Sequence, residues 1–254
     1  MARRFVNDFK ANHAGNPGSL SLKFGTFFGC RLDIHVSFAL QLAVTWLVYF
    51  HQISGFPGFI RSTSLVLIQF ACILLHEVGH VLVARGFGIK TGETTLYCMG
   101  GVSKLSRLPT TRWQQLTIAM GGPLASFLIA MVLFLVAKVT FGQNNPVSDT
   151  RIQLLMSLAS ANMLLGMHNL VPGFPFDGGR LLQMVLATRL RNTRAIQIPS
   201  WIGQGLSIIF GLSALVYNPA LIMNAFGIFA GARQQAALSG PAKPDVAMAP
   251  WPIS

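Results

Sequence analysis

The sequence contains few charged residues. Only 10% of its 254 residues are charged, whereas 52% are hydrophobic and the mean hydropathy is +0.54. Because a soluble domain carries about 25% charged residues, this composition excludes an ordinary soluble globular protein. It indicates a polytopic protein that lies in a lipid bilayer.

Cysteine is also scarce, and the cysteines present are scattered along the chain. Cys30, Cys72 and Cys98 form neither a paired framework nor a CxxC motif. Their spacing excludes a disulfide-stabilised fold and a zinc knuckle built from cysteines. We expect all three to be free thiols.

Long apolar runs are abundant and predict about six transmembrane helices. Five runs approach the about 20 residues that a helix needs to cross the hydrocarbon layer, and a sixth is shorter. The runs lie at 36–53, 63–84, 116–141, 152–171, 199–217 and 219–232.

Basic residues far outnumber acidic ones, 19 against seven, which gives a formal net charge of +12. In a soluble protein such an excess would indicate nucleic-acid binding. Here the predicted spans offer another explanation for the excess of basic residues. With the N-terminus in the cytoplasm, 16 basic residues lie on the cytoplasmic side and only Arg61, Lys138 and Arg151 lie on the other. Membrane proteins concentrate Lys and Arg on the cytoplasmic side. We therefore predict a cytoplasmic N-terminus and no nucleic-acid partner.

The chain is organised as one membrane domain between two polar ends. We predict a cytoplasmic N-terminal segment at 1–35, a transmembrane domain at 36–233 and a disordered, Pro/Ala-rich tail at 234–254. In the connection 86–115, the stretch TTLYCMGGVSKL at 94–105 has two strand-like segments around a Gly-Gly turn. The predicted fold class is therefore an all-α polytopic membrane protein with a small β-hairpin on the cytoplasmic side.

Small residues open the third apolar run. Gly121 and Ala125 are four residues apart, as are Gly122 and Ser126. This spacing lets helix backbones approach closely in lipid, and we expect both pairs to serve packing. The fourth run carries polar residues along its length, which are costly in hydrocarbon, so we expect it to line the functional interior: Gln153, Ser157, Ser160, Asn162, His168 and Asn169.

The second run contains the segment HEVGH, residues 76–80. His76 and His80 are four residues apart on a helix, so both imidazoles can reach one cation, and zinc suits such a pair. A chain of this composition contains HExxH by chance about once in a thousand cases. The expected role of Glu77 is to hold and deprotonate the attacking water; a buried carboxylate paired with an arginine is the alternative.

A hydrolytic zinc site has three protein ligands and one open position, so one ligand is missing from this motif. Asp177 is the acid best placed to supply it, in a segment after the fourth run that prolines and glycines break. Non-helical backbone at membrane depth is tolerated only when it is buried in protein or lines a water cavity. Three alternatives stay open: Asp177 as a helix N-cap, His168 as the ligand, and Cys72 as a thiolate ligand.

Four segments together resemble the site-2 protease family of intramembrane zinc metalloproteases. They are HEVGH in the second run, LYCMGGVSKL in the hairpin, GGPLASFLIA at the start of the third run and NLVPGFPFDGGR after the fourth. Weaker similarity in GTFFGCRLDIHVSF, before the first run, extends the resemblance to 25–233. HExxH alone is widespread among zinc hydrolases, but its combination with NxxPxxxxDGG in a polytopic chain is specific.

The resemblance implies one zinc ion bound by His76, His80 and Asp177, with Glu77 as the catalytic base. It also implies that Asn169 places the scissile peptide or its oxyanion. The expected substrate is a membrane protein that is cut in or near its transmembrane helix, as in regulated intramembrane proteolysis. By the same resemblance, the hairpin could receive the unwound substrate as an added strand.

The chain departs from the family pattern at two positions. Ser126 stands where the family commonly has Asn, and His168 stands where an apolar residue is usual. We expect a compact form without the PDZ or CBS domains that family members often carry. The expected location is the inner membrane of a prokaryotic cell.

Two other functions use the same residues. A metal-ion transporter could use the His and Asp side chains as a transit site, and an inactive membrane-protein binder could keep the fold. Glu77 beside the ligands has a role in hydrolysis and none that transport requires, and no inverted repeat is apparent. These observations favour hydrolysis.

Overall fold

The computed structural model describes residues 21–27, 30–52, 55–97, 100–107, 109–141, 150–216 and 221–238. Predictions for 1–20 and for 239–254, most of the expected disordered tail, lie outside the described residues, as does Cys98.

Helices dominate the described part of the chain. They are α1 Val36–Gln52, α2 Gly55–Gly86, α3 Arg112–Phe141, α4 Thr150–Asn169, α5 Asp177–Leu186, α6 Asn192–Val216 and α7 Leu221–Leu238. Each predicted apolar run coincides with one of these helices, and only the short α5 lies outside the runs. The last helix continues to Leu238, so the first residues assigned to the tail are helical. Gln, Ala and Leu in this stretch are good helix formers.

Three helices in the described part are long and apolar enough to cross a membrane by length and composition: Gly55–Gly86, Arg112–Thr140 and Thr193–Val216. A shorter apolar segment covers Val36–Val48. Large apolar side chains also lie on the outside of these helices, where a soluble protein would carry polar ones; on α3 they are Leu124, Leu128, Met131, Val132, Phe134, Leu135, Val136 and Val139. The protein is therefore an integral membrane protein, and three of the six predicted spans meet this requirement.

The predicted hairpin is confirmed, but Gly100 and Gly101 lie in its second strand and not at its turn, and the hairpin belongs to a larger sheet. Strands β1 Ser21–Phe27, β2 Cys30–His35, β3 Thr91–Tyr97 and β4 Gly100–Leu105 lie in the order β1-β2-β3-β4. The pairs β1–β2 and β3–β4 are antiparallel, whereas β2 and β3 are parallel. The fold is therefore mostly helical, as predicted, with a four-stranded sheet where one hairpin was expected.

One face of the sheet packs on α2 shortly before the HEVGH segment. Leu32 of β2 and Leu96 of β3 are buried together with Phe38 of α1. Partly buried residues of α2 complete this cluster, among them Phe70 and Ile73. Because side chains alternate between the two faces of a strand, this contact fixes which face of β3 and β4 meets the helix.

Helices α2 and α3 approach each other at glycine. A Cβ on Gly79 would lie 2.5 Å from the carbonyl oxygen of Gly121 and 2.6 Å from the Cβ of Ala125. The expected packing role of Gly121 and Ala125 is therefore confirmed. This contact brings the start of α3 directly against the HEVGH turn of α2.

A non-helical segment joins α4 to α5. The Phe174 amide donates to the Pro199 carbonyl of α6 at 3.0 Å, and the side chains of Phe174 and Phe176 are buried. A Cβ on Gly179 would lie 2.5 Å from the carbonyl carbon of Gly173, so the segment folds back tightly on the first turn of α5. This turn places Asp177 at the beginning of α5 and inside the protein.

Candidate metal centre and active site

Three side chains from two distant helices converge in the interior. Asp177 Oδ2 lies 3.3 Å from His76 Nε2 and 3.2 Å from His80 Nε2. The exposed fraction of all three residues is 2% or less. Within the described residues they form a group of His, Cys, Asp and Glu side chains that could hold a metal ion.

Each imidazole is oriented by a contact at Nδ1, the ring nitrogen that does not face Asp177. His80 Nδ1 lies 2.7 Å from the Ile118 carbonyl oxygen, which can only accept, and 3.2 Å from the Gly122 amide nitrogen. The shorter contact, to the carbonyl, places the proton on Nδ1. His76 Nδ1 lies 2.9 Å from Ser126 Oγ, which accepts in the same way when the ring is neutral. Both rings then present the Nε2 lone pair to Asp177. Such outer contacts fix the tautomer and orientation of histidine ligands in metal sites.

The geometry fits zinc. Ligand atoms at about 2.0–2.1 Å in a tetrahedron lie about 3.3 Å from one another, and the two imidazole-to-carboxylate distances are 3.3 and 3.2 Å. Gly122 keeps space open beside both donors, because a Cβ there would overlap His80 Nε2 and come within 2.5 Å of His76 Nε2. Two imidazoles and one carboxylate are a donor set of catalytic zinc sites, and zinc is the cofactor that this site fits.

Glu77 lies beside this group with one oxygen held and the other free. Its exposed fraction is 2%, and Oε1 accepts a hydrogen bond from the Gly101 amide of β4 at 2.9 Å. Among the described residues Oε2 has no hydrogen-bond partner. The carboxylate is therefore anchored by backbone at Oε1, and the charge of the buried Arg180 also acts on it.

Asp177 is not the N-cap of its helix. Phe176 occupies the cap position without a side-chain cap bond, and Asp177 is the first residue of α5. Arg180 Nη1 lies 3.7 Å from the second carboxylate oxygen of Asp177. The buried guanidinium of Arg180 favours the ionised form of this carboxyl, which a metal ligand requires.

The two asparagines of α4 form hydrogen bonds within their own helix or to α2. The Asn169 amide donates to Leu165 O of its own helix at 3.0 Å. Asn162 is buried and donates to Cys72 Sγ at 3.1 Å, so this free thiol is engaged by an amide and lies outside the metal-binding group. Three of the polar residues expected to line the interior are instead exposed: Gln153, Ser157 and Ser160.

His168 packs between aromatic rings and does not reach the donors. Its ring centroid lies 4.4 Å from that of Phe176 and 5.6 Å from that of Phe210. Its Nε2 has no hydrogen-bond partner among the described residues. The structure therefore supports neither a ligand role nor a core hydrogen bond from this nitrogen.

Sequence reasoning missed four residues of the site. Gly122 and Ser126 were assigned to packing, although their spacing also puts them on one face of α3, beside both imidazoles. Arg180 is buried one turn after Asp177, where the motif DGGR gave a local signal. Gly101 was assigned to the hairpin turn, and nothing local indicates its contact with Glu77, which joins a strand to a helix.

Comparisons with known proteins agree with this geometry. The family model for peptidase family M50 matches residues 64–210. A zinc metalloprotease of Methanocaldococcus jannaschii is 31% identical over 85% of this chain and 60% of its own length. A protein of Synechocystis sp. that is named as a candidate zinc metalloprotease is 31% identical over 80% of this chain and 53% of its own length. The chain thus spans between half and two thirds of the length of these relatives.

A solved structure has the same fold. The site-2 protease from Methanocaldococcus jannaschii matches with a TM-score of 0.67 and 30% identity, over 85% of this chain and 95% of that one. The family match covers more than half of the 254 residues and includes HEVGH and the segment that leads to Asp177. The chain therefore belongs to peptidase family M50, as a relative of the site-2 proteases, and the resemblance noted in the sequence is confirmed.

Proposed function

We propose that this protein is an intramembrane zinc metalloprotease that hydrolyses a peptide bond in or near the transmembrane segment of another membrane protein. The observation that carries the proposal is the position of Glu77. Its free Oε2 lies in the same buried cluster as the three metal-binding side chains, on a helix long and apolar enough to span a bilayer. A transit site for metal ions would not require this carboxylate.

His76, His80 and Asp177 would hold the zinc ion. When bound, zinc supplies Lewis-acid polarisation of the scissile carbonyl and of a water molecule. Glu77 Oε2 accepts the proton of the attacking water and passes it to the leaving amine. Burial of these groups strengthens each electrostatic interaction in the site.

A substrate helix must unwind before it can be cut, because its carbonyls are occupied by intrahelical hydrogen bonds. β4 has a strand on one side only in the described sheet, and Gly101 on its other side contacts Glu77. The unwound segment would add to this edge as a further strand, a known mode of peptide capture. Edge pairing would compensate the backbone hydrogen bonds lost on unwinding.

Asn169 would act on the peptide bond from the end of α4. Its amide is committed to Leu165 O, so a change of rotamer is needed before it can donate to the scissile carbonyl or its oxyanion. Such a donor contributes when it meets the charge that develops during the reaction.

The proposed topology has six spans and a cytoplasmic N-terminus in the inner membrane of a prokaryotic cell. The predicted transmembrane domain, 36–233, would carry the whole site. The excess of basic residues on one side supports this orientation. The active site would then lie toward the cytoplasmic leaflet, since α2 ends at Gly86, close after HEVGH.

Replacing the base tests the proposal. Glu77→Gln keeps the size of the side chain and removes the proton acceptor, so we expect cleavage to be abolished while zinc remains bound. The measurement is membrane proteomics of cells with the native or the variant protein, together with the zinc content of both. Transmembrane proteins that accumulate uncut only with the variant support the proposal. Undiminished proteolysis would refute the role of Glu77, and zinc flux without cleavage would favour transport.

A further inference from the structure

Gly101 of β4 contacts Glu77, the proposed catalytic base. Its backbone amide donates to Glu77 Oε1 at 2.9 Å, and a Cβ at this position would overlap Glu77 Cδ and lie 2.6 Å from Oε2. Residue 101 is itself buried. The strand and the carboxylate are therefore in direct contact, with no room for a side chain between them.

The orientation of this amide follows from the strand pairing. Gly101 pairs with Leu96 and Ser103 with Thr94, with no register shift between these pairs. In an antiparallel ladder, residues alternate between those whose N–H and C=O groups face the neighbouring strand and those whose groups face away. Since the Gly101 amide bonds Glu77, it faces away from β3, and the amide of Ser103 faces the same way. The free edge of β4 thus presents Gly101 and Ser103 to the site.

We propose that Gly101 is a positioning residue for the catalytic base: its amide holds Glu77 Oε1 so that Oε2 points at the water, and it is not available to the substrate. The inference rests on the proposed protease function and assigns a second role to the hairpin. A carboxylate held at one oxygen keeps a single orientation, which a base needs for proton transfer.

The same contact limits where a substrate strand can pair. An added strand would pair with the outward groups of Ser103 and with the Gly101 carbonyl, whereas the Gly101 amide is occupied by Glu77. Pairing would therefore stop beside Glu77, and the scissile bond would lie at the end of the paired segment. β4 runs from Gly100 toward Leu105, which packs on the cluster containing Ala84 near the end of α2. In the proposed topology the paired segment therefore lies on the cytoplasmic side of the cut.

Kinetics of Gly101→Ala in the full-length, zinc-loaded protein test the positioning role. The added methyl displaces the carboxylate, and we expect kcat to fall about 10²-fold or more, the contribution typical of a positioned general base, with KM and zinc content unchanged. Gly92→Ala is the matched control, since Gly92 lies in β3 of the same sheet and a Cβ there meets nothing within 4 Å. An unchanged kcat would overturn the inference. So would a raised KM at unchanged kcat, because the position would then serve the substrate.

Amide exchange gives a test that does not depend on activity or on the folding of a Gly101 variant. Glu77→Gln keeps an oxygen that can accept the Gly101 hydrogen bond, whereas Glu77→Ala removes it. We expect deuterium exchange at the Gly101 amide to be at least about tenfold faster in Glu77→Ala than in the native protein, and unchanged in Glu77→Gln. Equal exchange in all three proteins would overturn the inference.

These results separate the inference from the function on which it rests. A native protein that cuts no membrane substrate would refute the proposed protease function, whatever the exchange data show. If Gly101→Ala cuts the substrate as fast as the native protein does, only the proposed role of Gly101 is refuted.

Discussion

At the scale of single residues, the site depends on contacts that fix side-chain orientation. His76 and His80 are held at Nδ1 by two different groups, the Ser126 hydroxyl and the Ile118 carbonyl. The carbonyl is part of α3 and no substitution removes it, whereas the hydroxyl is one atom that can be deleted.

Ser126→Ala should weaken zinc binding. Loss of an outer contact to a histidine ligand typically costs 10–100-fold in metal affinity, and we expect a loss of at least about tenfold here. Ser126→Thr keeps the hydroxyl and should restore most of the affinity. Competition with a zinc chelator of known affinity measures the effect on purified protein.

Ser200→Ala is the matched control for that experiment. Ser200 is also fully buried, but its hydroxyl donates to Ile196 O of its own helix at 2.8 Å. Zinc affinity that falls equally in both variants would show a general loss of stability and would contradict a specific role for Ser126.

HEVGH could be found from sequence because all of its information is local. Asp177 could be proposed only by elimination, since the contact joins residues 101 positions apart, and the resemblance then singled it out. Ser126 and Gly122 could not be distinguished from packing residues. A small residue in a membrane helix leaves the same sequence signal whether a helix or a ligand fills the space beside it.

At the scale of elements, the close approach of α2 and α3 holds the site together. Gly79 contacts the Gly121 backbone on one side of α3, and Gly122 and Ser126 face the imidazoles on an adjacent side. The two registers of small residues therefore have separate functions. One sets the distance between the helices, and the other leaves room for the ligands.

Gly79→Ala should force the two helices apart. A Cβ 2.5 Å from the Gly121 carbonyl oxygen cannot be accommodated without a backbone shift, and overpacking of this kind costs about 1–3 kcal/mol. Unfolding of the detergent-solubilised protein measures the loss. Gly86→Ala, at the end of the same helix and with nothing within 4 Å of its Cβ, should leave stability nearly unchanged; equal losses in both variants would contradict this account of the packing.

The helices and the β3–β4 hairpin were predictable, because their patterns lie in continuous segments. β1 and β2 were missed for a physical reason. β2 pairs with β3 in parallel, and parallel strands need a long connection, which here consists of α1 and α2. Nothing local in 21–35 shows that a partner strand returns after two helices.

At the scale of the whole molecule, the predicted orientation in the membrane rests on the uneven distribution of Lys and Arg between its two sides. The prediction of a cytoplasmic N-terminus assigns Arg61 and Arg151 to one side of the membrane and Lys90 and Arg189 to the other. Lys90 and Arg189 lie in connections that follow α2 and α5. The orientation follows from the distribution of Lys and Arg over short connections.

Labelling of single cysteines should map these sides. In a variant without native cysteines, a membrane-impermeant maleimide added to intact cells should label Arg61→Cys and Arg151→Cys. Lys90→Cys and Arg189→Cys should react only after the membrane is opened. Labelling in the reverse order would invert the topology and move the site to the other leaflet.

His76, His80 and Asp177 are expected to bind one zinc ion, and zinc K-edge X-ray absorption of the purified protein identifies the ligand atoms and their distances. We predict two imidazole nitrogens and a carboxylate oxygen at about 2.0–2.1 Å, and loss of the ion or of the oxygen ligand in Asp177→Ala. A sulfur ligand at about 2.3 Å, or a spectrum unchanged by Asp177→Ala, would contradict this prediction.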